Sequence, residues 1–221
     1  MNPPFTADQF LDVFRRYHES VGPAPIALTV LGVLIAAAAY RADLRRSWHW
    51  AQTAMVLLAG VWLWTGIAYH KAFFADLTPA GAVFGSLFIA EAGLLLISAT
   101  QNGAWFARAS RGSVVVGTLL IVYAFVLYPA FGVLLGHRFP YAPTFGTPCP
   151  TTIFTFGIFC LLPASIPRFA LAIPVLWAAV GSTAAVELGM REDIGLIIAA
   201  VAALVVIHHE RHHQAPRPVE V

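Results

Sequence analysis

Charge is the scarcest commodity in this chain. Only 11% of its 221 residues are Asp, Glu, Lys or Arg, and Lys71 is the sole lysine. With 59% hydrophobic residues and a mean hydropathy of +0.75, too little polar surface remains to coat a soluble domain. Cysteine is nearly as rare. Cys149 and Cys160 lie 11 residues apart, which makes neither a zinc knuckle nor a Cys-x-x-Cys redox pair and leaves no disulfide framework. The net charge is +2 and the pI near 8.7, but the basic residues are scattered rather than massed on one face, so nucleic acid is excluded as a partner.

What the chain does have is long apolar runs. They fall at approximately Pro23–Tyr40, Trp50–Tyr69, Pro79–Ala99, Val114–Leu135, Thr151–Ala164, Phe169–Leu188 and Ile194–Ile207. Crossing a hydrocarbon core of about 30 Å takes about 20 apolar residues, because in lipid a helix must satisfy its own backbone polar groups. The fifth and seventh runs are short and need a turn from their flanks. The expectation is an all-α membrane protein: a bundle of about seven transmembrane helices over 23–209, an amphipathic helix over 1–22 and a polar tail over 210–221.

Residues 1–22 carry Asp8, Asp12 and Glu19 and have no apolar core, so they are no signal peptide. Thr6-Ala7-Asp8-Gln9 has the form of a capping box, with Phe5 and Phe10 placed for a hydrophobic staple. Phe10, Val13, Phe14 and Tyr17 recur at helical spacing on one side. That describes a helix lying on the membrane surface or against the bundle, either as an anchor or as a lid over a cavity.

Cytoplasmic loops retain an excess of Lys and Arg. One side would hold Arg41, Arg45, Arg46, Arg108, Arg111, Arg168, Arg211 and Arg217; the other Arg15, Arg16, Lys71, Arg138 and Arg191, largely offset by acids. This puts the N-terminus outside and the C-terminus in the cytoplasm. Trp48, Trp50 and Trp105 would then anchor the inner interface. Small residues at Gly32, Gly81, Gly85 and Gly93 permit close helix crossings, within the chain or in a homodimer.

Glu91 is the residue most out of place. It lies near the centre of the third run, where a bare carboxylate costs several kcal/mol and no span offers a Lys or Arg to pair with it. Thr118, Tyr123, Thr155 and Thr183 are the polar neighbours available by depth. Two readings stand, a proton- or ligand-binding carboxyl and interhelical hydrogen-bonding glue. Glu187 is a second acid in an apolar context, at the outer end of the sixth run.

The segment from Gly136 through Gly157 is the other unusual stretch. Its prolines and aromatics make the loop stiff. Thr147 and Pro148 suit an N-cap and first helical position, which places Cys149 in a first turn. A thiol there binds soft metals or acts as a nucleophile. His137 and Arg138 share that side of the bundle, as do His70 and Lys71. Cys149 with His70 or His137 is therefore the candidate site, for a soft or borderline divalent metal or copper(I), or for a covalent enzyme using a histidine base. At the other end His208–His212 and His209–His213 fall at i,i+4, a weak two-imidazole metal site or a snorkelling helix end.

The runs Ala68-Tyr69-His70-Lys71-Ala72-Phe73-Phe74 and Pro79-Ala80-Gly81-Ala82-Val83-Phe84-Gly85, the block Gly146-Thr147-Pro148-Cys149-Pro150-Thr151-Thr152-Ile153-Phe154-Thr155-Phe156-Gly157 and the opening Pro4-Phe5-Thr6-Ala7-Asp8-Gln9-Phe10 resemble a family of uncharacterised bacterial multi-pass membrane proteins. The resemblance covers nearly the whole chain and implies a bacterial inner-membrane protein, with no activity or site residues to carry over. Better-known classes fail on residues. A retinal protein needs a lysine in its last span. A haem-bridging cytochrome needs histidines paired within spans, whereas His49, His70, His137, His208 and His209 sit at ends or in loops. A ceramidase-like zinc hydrolase needs an aspartate inside a span. The functional expectation is a small-solute or metal-ion permease or binding protein with a polar cavity open to the outside; a membrane-embedded enzyme and a structural subunit of a membrane complex are the alternatives.

Overall fold

A computed structural model describes residues 4–100, 108–163 and 166–214, with positions 213 and 214 described by backbone alone. The expected anchor Trp105, Arg217, the His213 side chain and most of the 210–221 tail lie outside the described side chains. Helices supply the regular structure of the described residues: α1 (Ala7–Val21), α2 (Ala24–Arg45), α3 (Trp48–Leu77), α4 (Ala80–Thr100), α5 (Arg111–Leu134), α6 (Pro148–Leu161), α7 (Arg168–Glu187) and α8 (Ile194–Gln214), the last preceded by a 3-10 turn at Arg191–Asp193. Six of them, α2, α3, α4, α5, α7 and α8, are long and apolar enough to cross a membrane. Their outward faces are apolar: Ile26, Val30 and Val33 on α2, Val115, Leu119 and Val126 on α5, and Ile198, Val201 and Val205 on α8 are all exposed. In water such stripes would be an aggregation surface, whereas in lipid they are ordinary.

α6 is different. At 14 residues it spans about 21 Å, and all of its residues are buried. It packs against α5 and α8 and touches α2, α3 and α7, so it forms the core of the bundle. Its shortness has a cause in the preceding loop, expected to display itself on the exterior. Residues 145–147 instead dip between the helices: a Cβ on Gly32 would meet the Phe145 ring at 2.8 Å, and a Cβ on Gly146 would collide with Leu28. Gly146 also has φ +94°, which only glycine adopts without strain. Non-helical backbone at that depth must be satisfied by protein. Two threonines do so. The Gly146 N–H donates to Thr151 Oγ1 at 3.2 Å, and its carbonyl, 3.0 Å from Thr65 Oγ1, shares that hydroxyl with Val61 O. Lower down, the Trp62 indole donates to Thr155 Oγ1 at 2.9 Å, and at the far end Ser113 Oγ donates to the Cys160 carbonyl at 2.6 Å. Loop and helix together therefore traverse the bundle.

Two of the long helices widen locally into π-helix, α3 at Thr65–Phe74 and α5 at Tyr123–Leu127. In α3 the buried positions include the consecutive pairs Thr65, Gly66 and Tyr69, His70. The extra residue per turn lets both members of a pair face inward, and such bulges often mark functional sites. Beside this bulge α3 and α4 nearly touch. A Cβ on Gly85 would stand 2.8 Å from the Gly66 carbonyl, and one on Gly66 2.9 Å from the Gly85 carbonyl. The Gly81/Gly85 stripe is thus used inside the chain.

The N-terminal helix has the expected capping box, with Gln9 N–H on Thr6 Oγ1 and Thr6 N–H on Gln9 Oε1, and the Phe5 and Phe10 rings stacked at 6.0 Å. Its apolar side does not face lipid. Phe14 and Tyr17 pack on Tyr69 at 5.3 and 5.6 Å, and the outer side carries the Asp12–Arg15–Glu19 ion pairs. At the opposite end of the bundle Arg41 stacks over the Trp50 ring at 5.0 Å, in keeping with an interfacial tryptophan.

Candidate functional site

The π-helical stretch of α3 turns His70 into the bundle, 0% exposed. Aromatic rings surround it: Phe88 at 4.6 Å, Trp177 at 5.1 Å and Phe74 at 5.8 Å. None of them hydrogen-bonds it, and neither ring nitrogen has a partner. The Trp177 Nε1–H is likewise buried, with no oxygen or nitrogen acceptor and only the soft Cys149 sulfur beside it. A buried polar atom left unpaired costs about 1–3 kcal/mol, so such atoms point to an unmet partner.

Both residues line one cavity of about 420 Å³ at the α1 end of the bundle. Cys149, from the first turn of α6, Glu187, from the end of α7, and Asp193, from the turn before α8, line it too. The Cys149 thiol and the Asp193 carboxyl face one another, and Tyr128 Oη donates to Asp193 Oδ1 at 2.6 Å. Asp193 is 1% exposed, so an aspartate does lie inside the bundle, contrary to the sequence expectation. The reason is the 3-10 turn Arg191–Asp193, which tucks two acids inward before α8 begins. Glu187, by contrast, is exposed at the rim. Among the described residues no lysine or arginine lines the cavity.

α1 forms one wall. Phe5, Phe10 and Phe14 face the cavity. The helix is held by Arg16 on Asp76 at 2.6 Å, by the Trp64 indole donating to Tyr17 Oη at 2.8 Å, and by His18. The Nδ1 of His18 is 2.7 Å from the Pro140 carbonyl, which can only accept, so Nδ1 carries a proton; Nε2 then accepts from the Thr144 hydroxyl at 2.9 Å in the neutral ring. Burial draws the His18 pKa below its usual value, partly opposed by the bond to Pro140, and burial raises that of Tyr17.

The other expected site residues are dispersed. His137 gives its Nδ1 to Glu192 Oε1 at 2.8 Å, which leaves Glu192 Oε2 buried and unpartnered, and it does not line the cavity. Arg138 is exposed in an open groove of about 810 Å³ between α1 and the loop that precedes α6, along with Asp8, Asp12 and Asp76. Glu91 is 0% exposed and both its oxygens lack partners. The neighbours expected for it are engaged elsewhere: Thr118 with Tyr40 at 2.6 Å, Tyr123 with the Glu192 carbonyl, Thr155 with Trp62, and Thr183 with the Val180 carbonyl. At the far end the His208 and His212 rings stand 4.4 Å apart beside Arg168 and Arg211. Among the described residues no three His, Cys, Asp or Glu side chains converge as a metal would require.

Of the residues singled out from the sequence, His70, Cys149 and Glu187 line this cavity; Trp177 and Asp193 line it too but were not singled out. Trp177 carried a usable signal, an indole N–H deep in an apolar run that needs an acceptor. The chain belongs to the DUF6064 family, a family of unknown function, which it matches over residues 7–217. No curated protein and no solved structure matches it.

Proposed function

We propose that this protein is a permease or binding protein for a small solute, held in the cavity between α1, α3, α6 and α7. The observation that supports this most directly is the pair of buried side chains without an oxygen or nitrogen partner, His70 and Trp177, on one cavity wall. The cavity is small, mostly apolar and lined by a few polar groups, as solute sites usually are. In this reading the chain makes seven crossings of a bacterial inner membrane, α6 with its re-entrant loop being the fifth, and the cavity end with the N-terminus faces outside.

The metal-ion reading, with Cys149 and His70 or His137 as ligands, has less support, since His137 is tied to Glu192 and the solute itself would have to supply further ligands. The enzyme reading needs His70 or His137 as the base of Cys149; His137 is tied to Glu192, and the groups beside the thiol are the Asp193 carboxyl and the Trp177 indole. A structural subunit or a homodimer would use the lipid-facing stripes, since the Gly81/Gly85 face is occupied internally.

A thermal-shift screen of nanodisc-reconstituted protein against small amines, acids, alcohols, zinc and copper(I) tests the proposal. Solutes that stabilise the wild type should fail to stabilise His70→Phe and Trp177→Phe. If the same solutes stabilise both variants equally, the cavity is not the site.

A further inference from the structure

The cavity also restricts what can occupy it. We infer that the solute is a small organic cation, a protonated amine on an apolar body; this deepens the reading above and rests on it. Three features of the lining point the same way. First, among the described residues its charged groups are all acids: Asp193 is buried in the wall and Glu187 stands at the rim, with no Lys or Arg to balance them. An anionic solute would meet two carboxylates and no countercharge, which low-dielectric surroundings make prohibitive, while a cation would complete a pair. Second, the rest is dominated by rings. Phe14, Tyr69, Phe74, Phe84 and Trp177 line the space, and they give an apolar wall for the body that carries the charge. Third, the atoms without an oxygen or nitrogen partner suit an amine. One His70 nitrogen is an acceptor in the neutral ring and takes an ammonium N–H, while the second His70 nitrogen and the Trp177 N–H are donors that a hydroxyl or carbonyl oxygen near the amine satisfies.

The polar wall is contiguous, which fixes where the head group sits. Cys149 faces both Asp193 and Trp177, and Trp177 in turn packs on His70. The head group lies along this row, with its N–H groups toward Asp193 and His70, and the apolar body extends toward Phe14 and Phe10 of α1.

The test is direct binding to nanodisc-reconstituted full-length protein, with empty nanodiscs subtracted, using three isosteric probes: phenethylamine, 2-phenylethanol and phenylacetate. The amine should bind at least tenfold more tightly than the alcohol, and phenylacetate should not bind. Asp193→Asn, which keeps the acceptor for Tyr128, should erase the preference for amine over alcohol. Glu187→Gln, at an exposed position that any fold tolerates, should lower amine affinity several-fold. Equal or tighter binding of the alcohol or the acid, lost in Trp177→Phe, would overturn the cation assignment while sustaining the cavity as a solute site. If none of the three binds in a Trp177-dependent way, both readings fall.

Discussion

His18 and the carbonyl of Pro140, 122 positions apart in sequence, are joined by a 2.7 Å hydrogen bond. With the Thr144 contact on the opposite ring nitrogen, this one side chain clips the N-terminal helix to the loop that feeds α6. The helix it holds carries Phe10 and Phe14 of the cavity wall, so whatever loosens the clip loosens that wall.

Acid should loosen it. Burial holds the His18 pKa below its usual value of about 6.5, so the unfolded chain binds the proton more readily than the folded one. Stability from this group is fully present above pH about 6.5 and is lost as pH falls through the lower folded value. The thermal midpoint of detergent-solubilised protein should therefore drop below pH about 6.5, and His18→Gln should flatten that drop. His18→Ala should cost about 1–3 kcal/mol at neutral pH by stranding the Pro140 carbonyl. A pH profile identical in wild type and His18→Gln would count against the clip.

If α1 is a lid, the thiol behind it should report its position. Cys149 lines the cavity at 7% exposure, whereas Cys160 is fully buried in the core. In Cys160→Ser protein, a small permeant maleimide should modify Cys149 slowly. Phe14→Ala, which removes a ring stacked on Tyr69 at 5.3 Å, should speed that reaction about tenfold. An unchanged rate in a variant that still unfolds cooperatively would mean that α1 does not gate the cavity.

Glu91 separates cleanly into its two readings. With no partner on either oxygen it adds no hydrogen bond to the fold, so Glu91→Leu should leave stability unchanged or raise it by about 1–3 kcal/mol. Glu91→Gln should keep the fold while abolishing any proton-coupled transport, since an amide cannot carry the proton. Marked destabilisation by Leu in an unfolding titration would assign the residue to interhelical glue instead.

Topology can be tested at Tyr141, which is exposed on the cavity side. In cysteine-free protein, Tyr141→Cys should react with an impermeant thiol reagent added to intact cells, and His49→Cys, exposed at the other end, only after the membrane is opened. The reverse pattern would turn the molecule over and place the cavity in the cytoplasm.

Much of this architecture was legible in the sequence because lipid imposes simple rules. Apolar length found the six long helices, and the Thr6/Gln9 spacing found the cap of α1. The Thr147-Pro148 pair found the start of α6. What escaped were features decided by tertiary contact. Nothing in the local sequence says that α3 widens into a π-helix, so His70 read as a helix-end residue rather than a buried one. The pair Glu192-Asp193 read as solvent-facing charge, because the tyrosines that receive it, Tyr123 and Tyr128, belong to a helix 65 residues and more away. Residues 145–147 read as part of an exterior loop for the same reason: the groups that satisfy the Gly146 backbone are threonines on α3 and α6.

The burial of α6 bears on how the chain enters the bilayer. A segment of 14 residues with no lipid-facing side gains little by partitioning alone, and its leading loop carries polar backbone that only Thr65 and Thr151 can satisfy. Its burial predicts that it docks late, once α2, α3 and α5 are in place to receive it. Weakening its receptors on α3, as in Thr65→Val, should then show first as failed insertion, recovered as a protease-sensitive C-terminal half, before it shows as lost function.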